Sequence, residues 1–220
     1  VVEQKGDVTL VDHGAGKSYL GFILYDLVLK GLGVGEVIGI ETREELVRTT
    51  AALAERLGFE RMRFAQQTVA ESISDAAIGL QADIVTALHA CDTATDDAIR
   101  FALARNAEFI VLVPCCQAEV ATHLRQVKAK LLAGTPLSEL VRHGIHTREF
   151  GSQLTNVLRC LLLESRGYRL TVTELVGWEH SMKNELIIAR RAQERGGARE
   201  RAEAILETFK LEGLRERFVY

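Results

Sequence analysis

A glycine-rich turn near the start of the chain has the residue types of a ligand-binding loop. An apolar run at 8–11 is typical of a β-strand and is followed by Asp12. Gly14 and Gly16 come next, and because neither has a Cβ, the backbone can turn sharply and approach a ligand closely. The helix expected after the turn would direct its free N–H groups into the same space. We therefore predict a cofactor site at the carboxyl end of this strand.

Cysteines and a histidine follow two later apolar runs. The segment LHACD ends at Asp92, and the segment PCCQ contains Cys115 and Cys116, which are the candidate catalytic residues. A thiolate is a good nucleophile when a helix N-terminus or an imidazolium lowers its pKa. Thiolates and the imidazole of His89 also suit Zn²⁺, although adjacent cysteines lack the usual ligand spacing. A third interpretation is small, buried packing residues, and all three stay open.

The elements that must position these residues alternate between strand and helix. Apolar runs separated by helical patterns predict a parallel sheet with right-handed crossovers. The segment 118–167 has room for several helices, and we expect it to form either a helical cap over the site or a plain surface excursion. Two further strands joined by GWEHSMK predict an antiparallel pair. The predicted strands are 8–11, 36–41, 62–69, 82–88, 108–113, 170–176 and 184–189.

Polar residues at the ends of the second and third predicted strands are candidates for contacts with a nucleoside. Glu41 ends the second strand, where an acid accepts hydrogen bonds from both ribose hydroxyls in nucleotide-binding α/β folds. The alternative is an acid at a helix N-terminus, because a helical pattern follows. Gln67 is a candidate for contact with an adenine ring, with Gln66, Thr68 and Glu71 as alternatives.

Composition limits the class of protein. A length of 220 residues suits one α/β domain, and 47% hydrophobic and 26% charged residues are ordinary for a globular protein. A net charge of −3 does not indicate a nucleic-acid polycation. The sequence has no run as long as a membrane helix, no visible signal peptide and no disulfide framework, which predicts a reduced, cytoplasmic protein. The first strand follows Val1 closely, so we expect a preceding segment in the full protein.

Three known patterns contain a turn of this kind. The P-loop requires a glycine where Val11 stands, and the dinucleotide fingerprint requires one where Tyr19 stands. The segment Asp12–Leu20 fits D-x-G-x-G-x-x-x-L. It resembles the cofactor turn of class I S-adenosylmethionine methyltransferases, with Ser18 in place of a third glycine.

Three further segments narrow this resemblance. LHACD, PCCQ and HSMKN, which spans His180–Asn184, resemble one branch of class I methyltransferases. That branch includes the methyltransferase part of the glutathione S-transferase C-terminal-domain-containing protein. The resemblance covers 8–190 and departs at Asp92, where the family often has glycine. It implies a single methyltransferase domain over 1–220, with a Rossmann-like, mostly parallel seven-stranded sheet, an antiparallel last strand and helices on both faces.

The resemblance also implies the cofactor and its contacts. The cofactor would be S-adenosyl-L-methionine, and Cys115 and Cys116 would line the methyl-acceptor side. The implied cofactor contacts are Asp12, Gly14 and Gly16 to the methionine part, Glu41 to the ribose, and the backbone around Leu88 and His89 beside the adenosyl–sulfonium region.

The sequence does not specify the methyl acceptor. RNA is the preferred acceptor, because Pro-Cys turns occur in cytosine methyltransferases and arginines are scattered along the chain. A protein side chain stays open as an acceptor. The alternatives to an active enzyme are a non-catalytic cofactor-binding or interaction module and a P-loop-like nucleotide-binding protein. The sequence predicts that there is no membrane partner, and it does not predict an oligomeric state.

Overall fold

The computed structural model of the chain describes residues 5–78, 82–88, 90, 92–115, 117–131, 135–177, 184–193 and 196–220. The strands are β1 (Thr9–His13), β2 (Glu36–Glu41), β3 (Met62–Gln66), β4 (Ile84–Leu88), β5 (Phe109–Val113), β6 (Tyr168–Glu174) and β7 (Glu185–Arg191). They form one seven-stranded sheet in the order β3-β2-β1-β4-β5-β7-β6.

The direction of the strands follows the predicted pattern. β1 pairs in parallel with β2 and β4, and the pairs β2–β3 and β4–β5 are also parallel. β7 is antiparallel to both β5 and β6. The predicted fold class, a mostly parallel sheet with an antiparallel last strand, is confirmed.

Several strand ends differ from the prediction. β1 continues through Asp12 to His13, because the backbone of these two polar residues still pairs with β2. β3 ends at Gln66, earlier than predicted, because Thr68 caps a helix that begins at Val69. The Thr68 side chain accepts from the Glu71 N–H while the Glu71 carboxylate accepts from the Thr68 N–H, which is a capping box.

Helices join the strands. The first helix, Tyr19–Leu24, continues through a π-helical segment, Tyr25–Leu29, into a last turn at Lys30–Leu32. Within the described ranges, no helix is long and apolar enough to cross a membrane. The helices are α1 (Tyr19–Leu24), α2 (Glu44–Arg56), α3 (Val69–Ser74), α4 (Ala94–Ala104), α5 (Glu119–Leu131), α6 (Gly144–Ser165), α7 (Ala198–Thr208) and α8 (Arg215–Phe218).

Helices cover both faces of the sheet, as predicted. Because successive side chains of a strand point to opposite faces, Leu10 and Val11 belong to different apolar clusters. The cluster around Leu10 contains residues of the π-helical segment and of α2. The cluster around Val11 contains residues of α4 and α6, including Phe101 and Leu162. The glycine turn after β1 therefore lies at the end of a strand that is buried on both faces.

The segment 118–167 contains α5, a 3₁₀ turn at Pro136–Val141, and α6. α5 and α6 cross closely at Gly151, where an added Cβ would lie 2.7 Å from the Ala121 backbone. Both helices share an apolar cluster with α7. The prediction that this segment caps the site stays a prediction.

Candidate functional site

The glycine turn after β1 requires its glycines. Gly14 and Gly16 have φ angles of +68° and +57°, in the left-handed region that strains residues with a Cβ. The Ala15 N–H donates to the Ile40 carbonyl oxygen at 2.9 Å, which attaches the turn to β2. The Ser18 N–H donates back to the Ala15 carbonyl oxygen at 2.7 Å. The turn is therefore fixed by its own backbone before any ligand binds.

Asp12 holds this turn in position through its side chain. Its side chain is buried, and its two oxygens accept hydrogen bonds from the hydroxyls of Ser18 and Thr86, each at 2.8 Å. Burial raises the pKa of Asp12 from its ordinary 3.8 to about 6, and the two hydrogen bonds only partly oppose this. The predicted contact of Asp12 with the methionine part of a cofactor stays a prediction.

Because its pKa is raised, Asp12 should lower the stability of the folded protein by an amount that depends on pH. The folded state holds a proton that the unfolded state releases between about pH 4 and pH 6, so stability from this group falls as pH rises through that window. Relative to wild type, we expect the free energy of unfolding of Asp12→Asn to rise by about 3 kcal/mol as the pH increases from 4 to 7. Urea unfolding of both proteins across this range measures the difference. Asp26→Asn, at an exposed acid, is the control, and a difference that does not change with pH would contradict the assignment.

Glu41 joins the glycine turn to the end of β2. Its Oε2 accepts from the Gly16 N–H at 2.9 Å and from Arg43 Nη2 at 3.0 Å. Its Oε1 accepts from the Thr42 N–H at 2.9 Å, and from Arg43 N and Nε at 3.0 Å each. Burial alone would raise the pKa of Glu41, but the hydrogen bonds from Arg43 and Gly16 outweigh it and lower the pKa to about 2. The predicted ribose acceptor is therefore fully ionised, with Arg43 bound to it.

The side-chain carbonyl oxygen of Gln67 has no hydrogen-bond donor among the residues that the structure describes. Gln67 Nε2 donates to Asp75 Oδ2 at 2.5 Å. Because only the nitrogen of the amide can donate to a carboxylate, this contact fixes which end of the Gln67 amide is the carbonyl oxygen. In the described ranges, no group donates to the buried Gln67 Oε1. An exocyclic amino group of adenine is the kind of donor that this oxygen lacks. The alternatives Thr68 and Glu71 are engaged in the capping box.

A cavity of about 390 Å³ brings several of the predicted cofactor residues together. We name it the glycine-turn cavity. Gly14, Glu41 and Gln67 all line it, as does Ala90, which follows β4. Leu88 ends β4 but is not among the lining residues, and His89 lies outside the described residues. The other residues that line the cavity are His13, Ile40, Thr42, Arg43, Val69, Ala94 and Asp97.

A second cavity of about 850 Å³ lies beside Cys115, and we name it the Cys115 cavity. The turn after β5, the 3₁₀ turn and the first half of α6 contribute to its wall, and β6 and β7 complete it. Its lining residues are Pro114, Cys115, Gln117, Glu139, Leu140, His146, Glu149, Phe150, Ser152, Gln153, Asn156, Val172, Thr173, Glu174, Asn184 and Glu185.

A buried ion pair supports the wall of the Cys115 cavity, and sequence reasoning missed it. Arg159 is 1% exposed and donates from Nε to Asp96 Oδ1 at 2.7 Å and from Nη2 to Asp96 Oδ2 at 2.8 Å. Arg159 Nη1 and Gln117 Nε2 both donate to Asn156 Oδ1 at 3.2 Å. Asn156 Nδ2 donates to Glu185 Oε2 at 2.7 Å. The only signal in the sequence was two polar residues spaced i, i+3 within an apolar helical stripe.

The structure describes only part of the predicted cysteine group. Cys115 is half-buried and lines the cavity, whereas His89, Cys91 and Cys116 lie outside the described residues. Within the described ranges, no group of three His, Cys, Asp or Glu side chains is placed to hold a metal ion. Burial raises the pKa of the Cys160 thiol to about 12, so this thiol is inert at neutral pH.

A family model described as a methyltransferase domain matches residues 1–123. The chain belongs to this methyltransferase domain family. The match contains the glycine turn, Glu41, Gln67 and both cysteine segments, and it supports a methyltransferase over a P-loop protein. No curated protein matches the methyltransferase chain.

Solved structures share the fold of this methyltransferase. An rRNA methylase from Streptococcus thermophilus is 12% identical, with 85% of this chain and 88% of that chain covered and a TM-score of 0.53. The CMeT domain of the citrinin polyketide synthase is 18% identical, with 85% and 47% covered and a TM-score of 0.51. A Staphylococcus aureus protein assigned as a caffeoyl-CoA O-methyltransferase is 10% identical, with 87% and 79% covered and a TM-score of 0.51. These likenesses concern the fold, and the narrower branch inferred from LHACD and PCCQ stays a prediction.

Proposed function

We propose that the protein transfers a methyl group from S-adenosylmethionine, held in the glycine-turn cavity, to an acceptor in the Cys115 cavity. The observation that carries this proposal is that Gly14 of the turn, Glu41 and Gln67 line one cavity at the carboxyl ends of β1 and β2. The unpartnered Gln67 Oε1 fits an adenine amino group. Gly14 allows close approach of the methionine part, and Glu41 is placed to accept from the ribose.

The bound cofactor would supply a methyl group on a sulfonium, which an acceptor attacks directly. The protein then has to bind, orient and desolvate the acceptor, and it need not form a covalent bond itself. The Cys115 cavity has side chains suited to binding and orientation. Gln117 and Asn156 are buried amides, and the hydrogen bond from Gln117 Nε2 to Asn156 Oδ1 helps to set their orientations.

The charge of the Cys115 cavity bears on the chemistry of the acceptor. Glu174 and Glu185 stand directly opposite each other on β6 and β7, and like charges in such pairs are destabilising. Glu139 and Glu149 also line the cavity, but each forms an ion pair with an exposed arginine outside the lining, so the negative charge of the lining comes mainly from Glu174 and Glu185. Neither lysine nor arginine is among the described lining residues. This lining favours an acceptor that brings hydrogen-bond donors, such as a protein amine or amide, over the phosphates of RNA. RNA is the other outcome of the test.

The first test is a calorimetric titration with S-adenosylmethionine and, in parallel, with ATP. We expect micromolar binding of S-adenosylmethionine and no binding of ATP. Transfer of a radiolabelled methyl group into protein and RNA fractions then identifies the acceptor class, with label expected in protein. Binding of ATP alone would overturn the proposal, and binding of the cofactor without transfer would favour a non-catalytic module.

Cys115 gives a test of covalent catalysis. Because a nitrogen acceptor attacks the methyl group without help from a thiolate, we expect Cys115→Ala to lower kcat by less than about tenfold. Steady-state kinetics with the labelled acceptor fraction measure this, and Cys160→Ala is the matched control at an inert thiol. A loss of about 10³-fold or more would instead indicate a nucleophilic Cys115.

A further inference from the structure

His13 is a buried imidazole that ends β1 and lines the glycine-turn cavity. Its side chain is 5% exposed. Its ring centroid lies 5.3 Å from that of Phe101 on α4, in a tilted contact. Among the residues that the structure describes, none donates to or accepts from either ring nitrogen, Nδ1 or Nε2. A polar side chain is therefore held against the cavity with both of its hydrogen-bonding atoms unused.

The imidazole is neutral in the working pH range. Burial lowers the pKa of His13 to about 4, and the negative charge of Glu41 only partly opposes this. A neutral imidazole carries one N–H donor and one nitrogen acceptor. His13 therefore offers a donor and an acceptor together in the cavity.

Packing alone does not account for a histidine at this position. A leucine at this position would bury no polar atom. An unpaired buried donor or acceptor lowers the stability of a folded protein. Residues that reduce stability in this way are found where a ligand later supplies the missing partner.

The neighbouring groups indicate which part of a ligand this would be. Glu41 lines the same cavity, but each of its oxygens already accepts at least two hydrogen bonds from Gly16, Thr42 and Arg43. A ribose has hydroxyls that each donate and accept, so it needs partners with both capacities. His13 supplies both, whereas a carboxylate only accepts.

We propose that His13 is a further cofactor-binding residue, whose imidazole hydrogen-bonds to the ribose hydroxyls of the cofactor in the glycine-turn cavity. This inference rests on the proposed function. His13 adds to Glu41 a donor for the same sugar. Because the pKa of His13 is about 4, the imidazole does not gain a second proton between about pH 5 and pH 8, so its charge in this contact does not change over that range.

The test compares binding and stability in the same variants. His13→Leu removes both nitrogens, His13→Asn keeps a donor and an acceptor, and Ile110→Val is a control at a buried apolar residue that is not among the lining residues of the cavity. We expect His13→Leu to raise the Tm of the free protein and to weaken binding of S-adenosylhomocysteine about tenfold. His13→Asn should recover part of the affinity, and Ile110→Val should leave it within about twofold.

A truncated ligand locates the contact. If His13 binds the ribose, 5′-methylthioadenosine should lose affinity for His13→Leu by the same factor as S-adenosylhomocysteine. Loss with S-adenosylhomocysteine alone would place His13 at the amino-acid part and overturn the assignment. Unchanged affinity for both ligands would also overturn it. If the wild-type protein bound neither ligand, the proposed function would fail first.

Nuclear magnetic resonance of the wild-type protein makes the test independent of variant folding. The imidazole nitrogens of His13 should shift when S-adenosylhomocysteine is added, because a hydrogen bond changes the shielding of the nitrogen that makes it. No shift at saturation with ligand would contradict the contact.

Discussion

Replacing Arg159 by methionine should lower the free energy of unfolding by about 3–5 kcal/mol, which is a large share of the stability of a domain this size. Arg159 is 1% exposed, and its partner Asp96 has a side chain that is 8% exposed. Methionine keeps most of the apolar volume but leaves the Asp96 carboxylate buried without its cation. The Asp92 carbonyl oxygen, which accepts from Arg159 Nη2 at 2.8 Å, also loses its donor.

Urea unfolding at neutral pH measures this loss. Arg148→Met is the matched control, because the ion pair of Arg148 with Glu149 is exposed and should contribute less than about 1 kcal/mol. Adding Asp96→Asn to Arg159→Met should recover part of the stability, since the unpaired charge is removed. A loss below about 1 kcal/mol for Arg159→Met would show that Asp96 finds water or another partner.

The second large effect concerns cofactor binding. Glu41→Gln should weaken binding of S-adenosylmethionine about 100-fold. Glutamine places an amide NH₂ against donors that now share a carboxylate, including the Gly16 N–H at 2.9 Å. The glycine turn loses its anchor to β2, and the ribose loses an ionised acceptor.

Arg43 provides the matched variant for this prediction. Its side chain is 67% exposed, against 7% for Glu41, and its Nη2 lies 3.8 Å from the position a Cβ would take on Gly16. A ribose that binds Glu41 must share it with Arg43 or displace it, so Arg43→Gln should leave cofactor affinity unchanged or raise it several-fold. Calorimetry measures both variants. Equal losses for the two would mean that Arg43 is itself a cofactor ligand.

The low pKa of Glu41, about 2, fixes the sign of any pH effect on this contact. The carboxylate is ionised throughout the working range, so its contribution to cofactor affinity should be constant from about pH 5 to pH 8. A fall in affinity within that range would have to come from another group.

Much of the fold could be predicted from the sequence, because its buried strands are short apolar runs and its turns contain glycine. The errors lie where the backbone and side chains give opposite signals. Asp12 and His13 are polar, yet they belong to β1 because their backbone pairs with β2. Val69 is apolar, yet it begins α3 because Thr68 caps that helix. Periodicity cannot detect either case.

The site was predictable where it lies within one segment and not where it depends on tertiary contacts. The glycine turn follows β1 and Glu41 ends β2, as expected. Thr86 was missed, because its role follows from its position opposite Asp12 in the β1–β4 pair, which requires the strand order. Arg159 was missed for the same reason, since its partner Asp96 is distant in the sequence and adjacent only in the folded chain.

The position of β7 between β5 and β6 has a consequence for how the chain folds. Among the described strands, β6 pairs only with β7, and β7 pairs with β5 over a long sequence separation. A chain emerging from the ribosome without β7 would have an unpaired β6 and an open edge on β5, and open edges recruit other chains. The hairpin of β6 and β7 is local and forms quickly, whereas its docking on β5 is a slow, non-local step. The sheet therefore cannot be completed until β7 has been synthesised and has docked on β5.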